Sequence, residues 1–435
     1  LPGAIPVPNK VAFNKALKLA VALNCTINQE TKFDRKNYFY PDLAKGYQIS
    51  QYDQPIGENG YVEIEIMGDS RRIRLQRIHL EEDTAKSLHA ENDDTLIDYN
   101  KSGVPLIEIV TYPDFESIEE VVLFAKRLKQ IVKYLDISDA EMQKGQMRFE
   151  LNISVKPDTM PVGQLPDYKV EVKNIGSISV LEKVLNFEVK RQTELLEKGE
   201  KIKPQTRGLK GMTGETLFQR GKETSDDYRY FPEPDIKPIR IQDSQIEELK
   251  KSLPELPHQR KQRYMDLGLE GEQADIFVED REKGDWFDSF IQLSNKQEVI
   301  KEAAKWIVGE VSGHLEKRDL KISEMKLGQE DLLELVIQMQ SKSISGTIAK
   351  DVINTIFQEG GSAKSIIESK GLTQITDSSF VADIAKKVIA ENPKLVLDLA
   401  KNPNVIKALV GQVMRQTQGK VNPKVAEEEL TKLLS

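Results

Sequence analysis

YVEIEIMGDSRRIRLQRIHLEED, residues 61–83, reads as β-structure from one end to the other. Val62, Ile64 and Ile66 alternate with Tyr61, Glu63 and Glu65, the period of two that sends one row of side chains to a core and the other to water. From Arg71 the alternation resumes with Ile73 and Leu75, and then its phase slips, because Ile78 and Leu80 fall on the other parity. A one-residue slip is the signature of a β-bulge, expected here near Gln76 and Arg77. Beyond it Ile78, Leu80 and Glu82 share one face and His79 and Glu81 the other, so Glu82 emerges from a buried row at a strand end.

Other strands carry carboxylates in similar positions. In VPLIEIV, residues 104–110, both faces are apolar except for Glu108. A carboxylate inside such a strand costs several kcal/mol (about 3–5 when unpaired) unless a cation or hydrogen-bond donors meet it. In MRFELNISV, residues 147–155, an apolar row leaves Arg148, Glu150 and Asn152 as a polar row. Glu82, Glu108 and Glu150 thus offer one carboxylate from each of three strands, and a divalent metal with oxygen ligands would hold them together. Pairing of each with a nearby arginine is the alternative, and the pattern does not decide between them.

The same alternation recurs in RFELNISVKP and KVEVKNIGSISV, so a large sheet is expected in residues 1–250. Two amphipathic helices, at 118–135 and 180–199, interrupt it, the second closed by Gly199 as a C-cap. Prolines at 232, 234, 238, 254 and 257 mark a boundary, after which the pattern is helical almost throughout. The glycines of FQEGGSAKSII, residues 357–367, read as a linker with an N-cap, dividing a helical part (251–358) from a tail (359–435).

Composition limits the function. A net charge of −8 excludes a surface coated with nucleic-acid-binding charge, so any RNA contact is local. No run is long and apolar enough to cross a bilayer, and the cytoplasm is the expected compartment. Cys25, the single cysteine, permits neither an internal disulfide nor a thiolate cluster. There is no phosphate-binding P-loop (GLKGMTGET has glycines in another order), no G-x-S-x-G elbow and no H-E-x-x-H.

Five stretches, taken together, resemble one family: KFDRKNYFYPDLAKGYQISQYDQPI (32–56), HLEEDTAKSLH (79–89), LIDYNKSGVPLIEIV (96–110), YLDISDAEMQKGQMRFELNIS (134–154) and KETSDDYRYFPEPDIKP (222–238). They occur in the order found in the B subunit of the tRNA-dependent amidotransferase, GatB, and the resemblance runs along essentially the whole chain. It implies an α+β fold, a mixed-sheet cradle domain (1–250) followed by an all-helical domain (251–358) and a helical tRNA-binding tail (359–435). It also implies a heterotrimer with an amidase (A) subunit and a small (C) subunit. In that family the amidase releases ammonia from glutamine. The B subunit uses ATP and magnesium to phosphorylate the side-chain carboxylate of a misacylated tRNA, Glu-tRNA(Gln) or Asp-tRNA(Asn), and ammonia displaces the phosphate.

For residues, the resemblance places Glu82 and Glu108 at family acidic positions, as catalytic, metal or channel-gate groups, with Glu150 and His79 as further metal candidates; a half-exposed strand histidine is the plainer account of His79. Arg35, Lys36, Asn37, Tyr38 and Tyr40 are expected to meet the nucleotide or the acceptor end of the tRNA, since aromatics stack on bases and cations meet phosphates. Asp226 and Arg229 are expected to organise the site, and Lys386, Lys387, Arg415 and Lys420 to contact tRNA phosphates. Two departures stand out. The family usually opens with Gly-Leu-Glu-x-His, whose Glu and His help build the magnesium site, and this sequence begins beyond it. The family's Arg-Cys-Asp-x-Asn is here Arg148-Phe149-Glu150-Leu151-Asn152, which moves a charge by one methylene. A catalytically inactive tRNA-binding scaffold is therefore the alternative reading.

Overall fold

Residues 61–83 fold back on themselves at Met67 and Gly68, which both take positive φ (51° and 88°), the left-handed pair that a tight hairpin turn needs. This is a computed structural model; it describes residues 5–89, 94–161, 163–221, 228–372, 378–399, 403–417 and 421–434. The chain divides into two units, Leu1–Pro257 and His258–Ser435.

In the first unit the strands are distributed over several small sheets instead of the single large one expected. A four-stranded antiparallel sheet has the order β1 (Thr26–Ile27), β5 (Gly57–Ile66), β6 (Asp69–Glu82), β9 (Pro105–Thr111). A second has the order β10 (Phe149–Ile153), β11 (Val170–Ile175), β12 (Gln205–Leu209), β13 (Thr216–Gly221), with β11 and β12 parallel. Short additions complete the described strands: β14 (Phe231–Pro232) beside β3 (Asp34–Asn37) and β4 (Tyr47–Ser50), β15 (Ile239–Arg240) beside β2 (Glu30–Thr31), and the hairpin of β7 (Lys86–His89) and β8 (Thr95–Asp98).

Helices explain the division into two main sheets. Helix α1 (Lys10–Ala22) packs on the first sheet, where Val62, Ile64, Ile73, Leu75, Ile78 and Leu80 form its inner face. Helix α2 (Ile118–Tyr134) gives Phe124, Leu128, Ile131 and Val132 to that core but Ala125 to the core of the second sheet. It therefore supports a separate core on each side, and the two sheets do not merge. A capping box of Ser117 and Glu120 starts α2, and Arg71 of β6 pairs with buried Glu120, fastening helix to sheet. Helix α3 (Ile178–Glu197) crosses between β11 and β12 and ends before Gly199, whose φ of 77° is the left-handed C-cap geometry. Helix α4 (Asp243–Ser252) returns to pack beside α1.

The second unit is helical. Residues between Tyr264 and Ile367 build two adjoining apolar clusters, and Ala363, Ile366 and Ile367 belong to one of them, so Gly360 and Gly361 form a turn within that packing. Ser362 caps the helix that follows. A further cluster gathers Val381, Ala385, Val388, Leu409, Val413, Val421, Ala426 and Leu430. Buried Arg260 is matched by Asp285 and Asp288, both at 2.7 Å, and by the hydroxyl of Tyr264 at 2.9 Å.

One glycine shows how tightly α1 meets the first sheet. The N–H of Tyr61 donates to Leu23 O at 2.9 Å, and a Cβ on Gly60 would lie 2.6 Å from that same oxygen and 2.4 Å from the Cys25 sulfur. Gly60→Ala should lower stability by about 1–3 kcal/mol, as overpacking does. Gly176→Ala, where the new methyl meets nothing within 4 Å, should shift the urea midpoint far less; equal shifts for the two would show that the α1 contact is not tight.

Candidate functional site

The expected bulge is present, as a register shift between Leu75 and Arg77 in the pairing of β6 with β9. Beyond it Ile78 and Leu80 face the core, which turns Arg77, His79 and Glu81 to the other face. His79 lies directly opposite Glu108. Its Nε2 is 3.6 Å from Glu108 Oε2 and 3.8 Å from Glu81 Oε2, and one ligand atom from each of the three lies within 4.8 Å of the others. His79 is 2% exposed and its Nδ1 has no hydrogen-bond partner; Arg77 Nε, two residues back along the strand, also has none. These are costly groups to bury unless something else completes the site.

The two carboxyls respond to this setting in opposite directions. Burial works to raise the pKa of Glu81, but the neighbouring His79 and the charges of Lys36 and Arg148 bring it below the ordinary carboxylate value. Glu108 is raised, first by its partial burial and then by the charge on Glu81. The result is one carboxyl biased to the anion beside one that holds its proton more readily, the kind of contrast that marks functional pairs.

Glu81 and Glu108 open into a cleft of about 3170 Å3 in the first unit. Lys36, Tyr38 and Tyr40 stand on the same side, and Arg148, Glu150 and Arg220 come from the second sheet and its approach. Alternation along β3 separates Lys36 from Arg35 and Asn37, and the loop that follows brings Tyr38 and Tyr40 to the side of Lys36. Lys36, Tyr38 and Tyr40 face the cleft, and Lys36 Nζ sits 4.8 Å from the ring centre of Tyr228 and 5.8 Å from that of Tyr38. Arg35 turns away, bonding Glu233 at 2.6 and 3.0 Å with its guanidinium over Tyr47. Asn37 Nδ2 donates to Arg229 O at 2.8 Å and so clips the segment before β14 to β3.

Among the remaining expected residues, Glu82 points to the opposite side of β6 from Glu81, where its carboxylate pairs with Lys45 and accepts from Ile49 N at 2.9 Å. Glu150 pairs with Lys173 at 3.4 Å and is not one of the three clustered side chains. Arg229 is exposed with a φ of 45°. Asp226 and Lys420 lie outside the described residues. Lys386 and Lys387 reach Asp383 (3.2 Å) and Glu391 (4.0 Å) along their own helix, and Arg415 is exposed near the end of another.

Comparison with known proteins fits this architecture. The family model described as the GatB/GatE catalytic domain matches residues 1–247, and the one described as the GatB domain matches 285–434. The chain belongs to the GatB family. A relative from Thermodesulfovibrio yellowstonii is 41% identical over 437 residues, spanning 100% of this chain and 90% of its own length. One from Oceanobacillus iheyensis is 42% identical over 436 residues, covering 99% and 90%, and one from a Thermoanaerobacter species is 42% identical over 438, covering 100% and 91%. All three are named as the B subunit of an aspartyl/glutamyl-tRNA(Asn/Gln) amidotransferase.

Within this GatB chain the residues that sequence reasoning passed over are Glu81, Arg77 and Tyr228. For Glu81 the signal was available, since it shares parity with His79 once the bulge is accepted. Tyr228 could not be placed from sequence, because it reaches Lys36 from a segment far along the chain. Two carboxylates and an imidazole form a donor set that suits a hard divalent cation keeping part of its water. Magnesium or manganese binding, measured by calorimetry, should weaken at least about tenfold in Glu81→Gln and in Glu108→Gln but little in Glu82→Gln; a Glu82→Gln loss equal to theirs would place the cation elsewhere.

Proposed function

We propose that this chain works as the B-type subunit of an aspartyl/glutamyl-tRNA amidotransferase, and that the cleft beside His79, Glu81 and Glu108 is where a misacylated side-chain carboxylate is activated by ATP and amidated by ammonia. The observation that carries this reading is the convergence of those three side chains, opposite one another on β6 and β9, at the wall of a cleft with room for a nucleotide and an acceptor end.

The chemistry needs a leaving group where a carboxylate has none, and a phosphoryl group transferred to its oxygen provides one. His79, Glu81 and Glu108 would hold a magnesium ion, which when bound neutralises charge on the transferring phosphoryl group. The chain's own cations contribute alongside. Lys36 makes no ion pair among the described residues and rests on two tyrosine rings, so its ammonium is available to a phosphate oxygen. Arg148 is 3.7 Å from Asp83 and its charge also acts on Glu81, which places it at the edge of the same site. Glu82 and its partner Lys45, on the far side of β6, are suited to gate the ammonia's passage, and the amidase and small subunits would supply that ammonia from glutamine. Lys386, Lys387 and Arg415 are the described cations of the second unit proposed for tRNA phosphates.

The test is amidation of Glu-tRNA(Gln) and Asp-tRNA(Asn) by the chain assembled with amidase and small subunits, with ammonia as donor, ATP and magnesium. Glu81→Gln, Glu108→Gln and Lys36→Met should each lower kcat by about 100-fold or more, the scale expected for removing charge stabilisation from a transfer site. Retained activity in all three, with tRNA binding intact, would overturn the assignment of the site.

A further inference from the structure

The strands β14, β3 and β4 have a second surface besides the one that Lys36 presents to the cleft. Phe39, Lys45, Tyr47 and Phe231 all lie outside the cleft lining. Phe39 is 89% exposed, more than any other aromatic side chain among the described residues, and Phe231, opposite Arg35 in the pairing of β14 with β3, is 45% exposed. Cations link these rings. The Arg35 guanidinium lies 4.3 Å from the ring centre of Tyr47 and 5.8 Å from that of Phe231, and Lys45 Nζ lies 5.1 Å from that of Tyr47.

The loop that carries Phe39 is tied by its own backbone. Tyr38 N donates to Gly46 O at 3.2 Å, Leu43 N to Tyr40 O at 3.0 Å and Gly46 N to Leu43 O at 3.0 Å. Gly46 takes a φ of 75°, and a Cβ there would lie 3.2 Å from the Phe39 ring, so the ring rests over backbone with almost all of its surface in water. Exposed aromatic rings on a fixed backbone, with an arginine among them, have the composition of the centre of a protein–protein contact.

Two observations choose the partner. The first is charge. Arg35 is neutralised by Glu233 at 2.6 Å and Asp235 at 3.7 Å, and Lys45 by Glu82. A phosphate backbone is held by cations with charge to spare, so this face suits a protein better than tRNA. The second is position. The Lys45–Glu82 pair, on the side of β6 away from Glu81, belongs to this surface, and it is the pair suited to gate ammonia. Ammonia released into water near neutral pH takes up a proton and loses the lone pair with which it attacks. The subunit that makes it must therefore close on the surface around that pair.

We propose that Phe39 and Phe231, with Arg35 and Tyr47 between them, form the docking surface for the ammonia-producing amidase subunit, which seals around the Lys45–Glu82 pair. The choice of the amidase rests on the proposed function; the reading of this face as a protein contact does not.

The test uses the purified chain and a purified amidase–small subunit pair. Calorimetry gives the Kd between them, and amidation of misacylated tRNA is then measured with glutamine or with an ammonium salt as donor. Phe39→Ser should weaken association by about tenfold or more, the scale of an interface anchor. It should lower the glutamine-supported rate at subunit concentrations near the Kd, and leave the ammonium-supported rate and the melting temperature unchanged. Phe231→Ala should act in the same direction, and Phe39→Tyr, which keeps the ring, should recover most of the affinity. Met67→Ser, at a hairpin tip that is 94% exposed, is the control and should change nothing. A benzophenone side chain introduced at position 39 should cross-link to the amidase. Unchanged association in Phe39→Ser, an equal loss in Met67→Ser, an equal fall with both nitrogen donors, or cross-linking to the small subunit or tRNA without the amidase overturns the docking surface. An unmutated complex that assembles but does not amidate counts against the proposed function instead, and the Kd and the cross-link still decide the surface.

Discussion

The antiparallel pairing of β6 with β9, with its one-residue slip after Leu75, is the constraint on which the rest of the first unit depends. Before the slip, Ile73 and Leu75 supply the inner face of the sheet; after it, Ile78 and Leu80 do so although their parity has changed. The slip keeps one continuous apolar face towards α1 and α2 and at the same time sends His79 and Glu81 to the outer face, across from Glu108. A strand without it would put those polar groups into the core, at a cost no nearby partner offsets.

Charge is used in two distinct ways around this sheet. Where rigidity is needed, opposite charges meet directly: Arg35 grips buried Glu233 and so holds β14 to β3, and Arg71 grips Glu120 and so holds α2 to β6. Around the cleft many charges are paired as well, Arg74 with Asp114 and Lys101 with Asp83, but Lys36 makes no ion pair among the described residues. Lys36 is supported by aromatic rings, and the charges of Lys36 and Arg148 act on Glu81 from a distance. Lys36, held this way, stays able to meet a charged ligand, and the cost of leaving His79 Nδ1 and Arg77 Nε without partners falls at the same place. The architecture is thus stiff behind the site and uncommitted at its surface.

Much of this could be read from residues alone, and what could not depends on packing between distant segments. The bulge, the separation of His79 and Glu81 from Glu82, the capped helix ending before Gly199 and the helical second half all follow from local periodicity and turn chemistry. Glu82 draws attention both as a carboxylate at the end of a buried row and through the resemblance, and the structure places it apart from the His79–Glu81–Glu108 cluster. Its partner Lys45 comes from a segment 37 residues earlier, and pairing across such a distance leaves no mark in the local pattern. Arg35 and Asn37 were grouped with Lys36, Tyr38 and Tyr40 because the stretch is rich in aromatic and basic residues; the alternation of β3, which separates them, shows only once the segment is known to be a strand. The single large sheet failed for a related reason. β11 pairs in parallel with β12 across the whole of α3, and α2 serves two cores at once, both of which are settled by tertiary packing.

The most direct test of the central claim is to locate a divalent cation. Crystals of the chain or its complex grown with manganese, measured at the manganese absorption edge, should give an anomalous peak within ligand distance, about 2.0–2.3 Å, of His79 Nε2, a Glu81 carboxylate oxygen and a Glu108 carboxylate oxygen. A peak beside Glu82 or Glu150, with the His79–Glu81–Glu108 cluster left without one, would contradict the account.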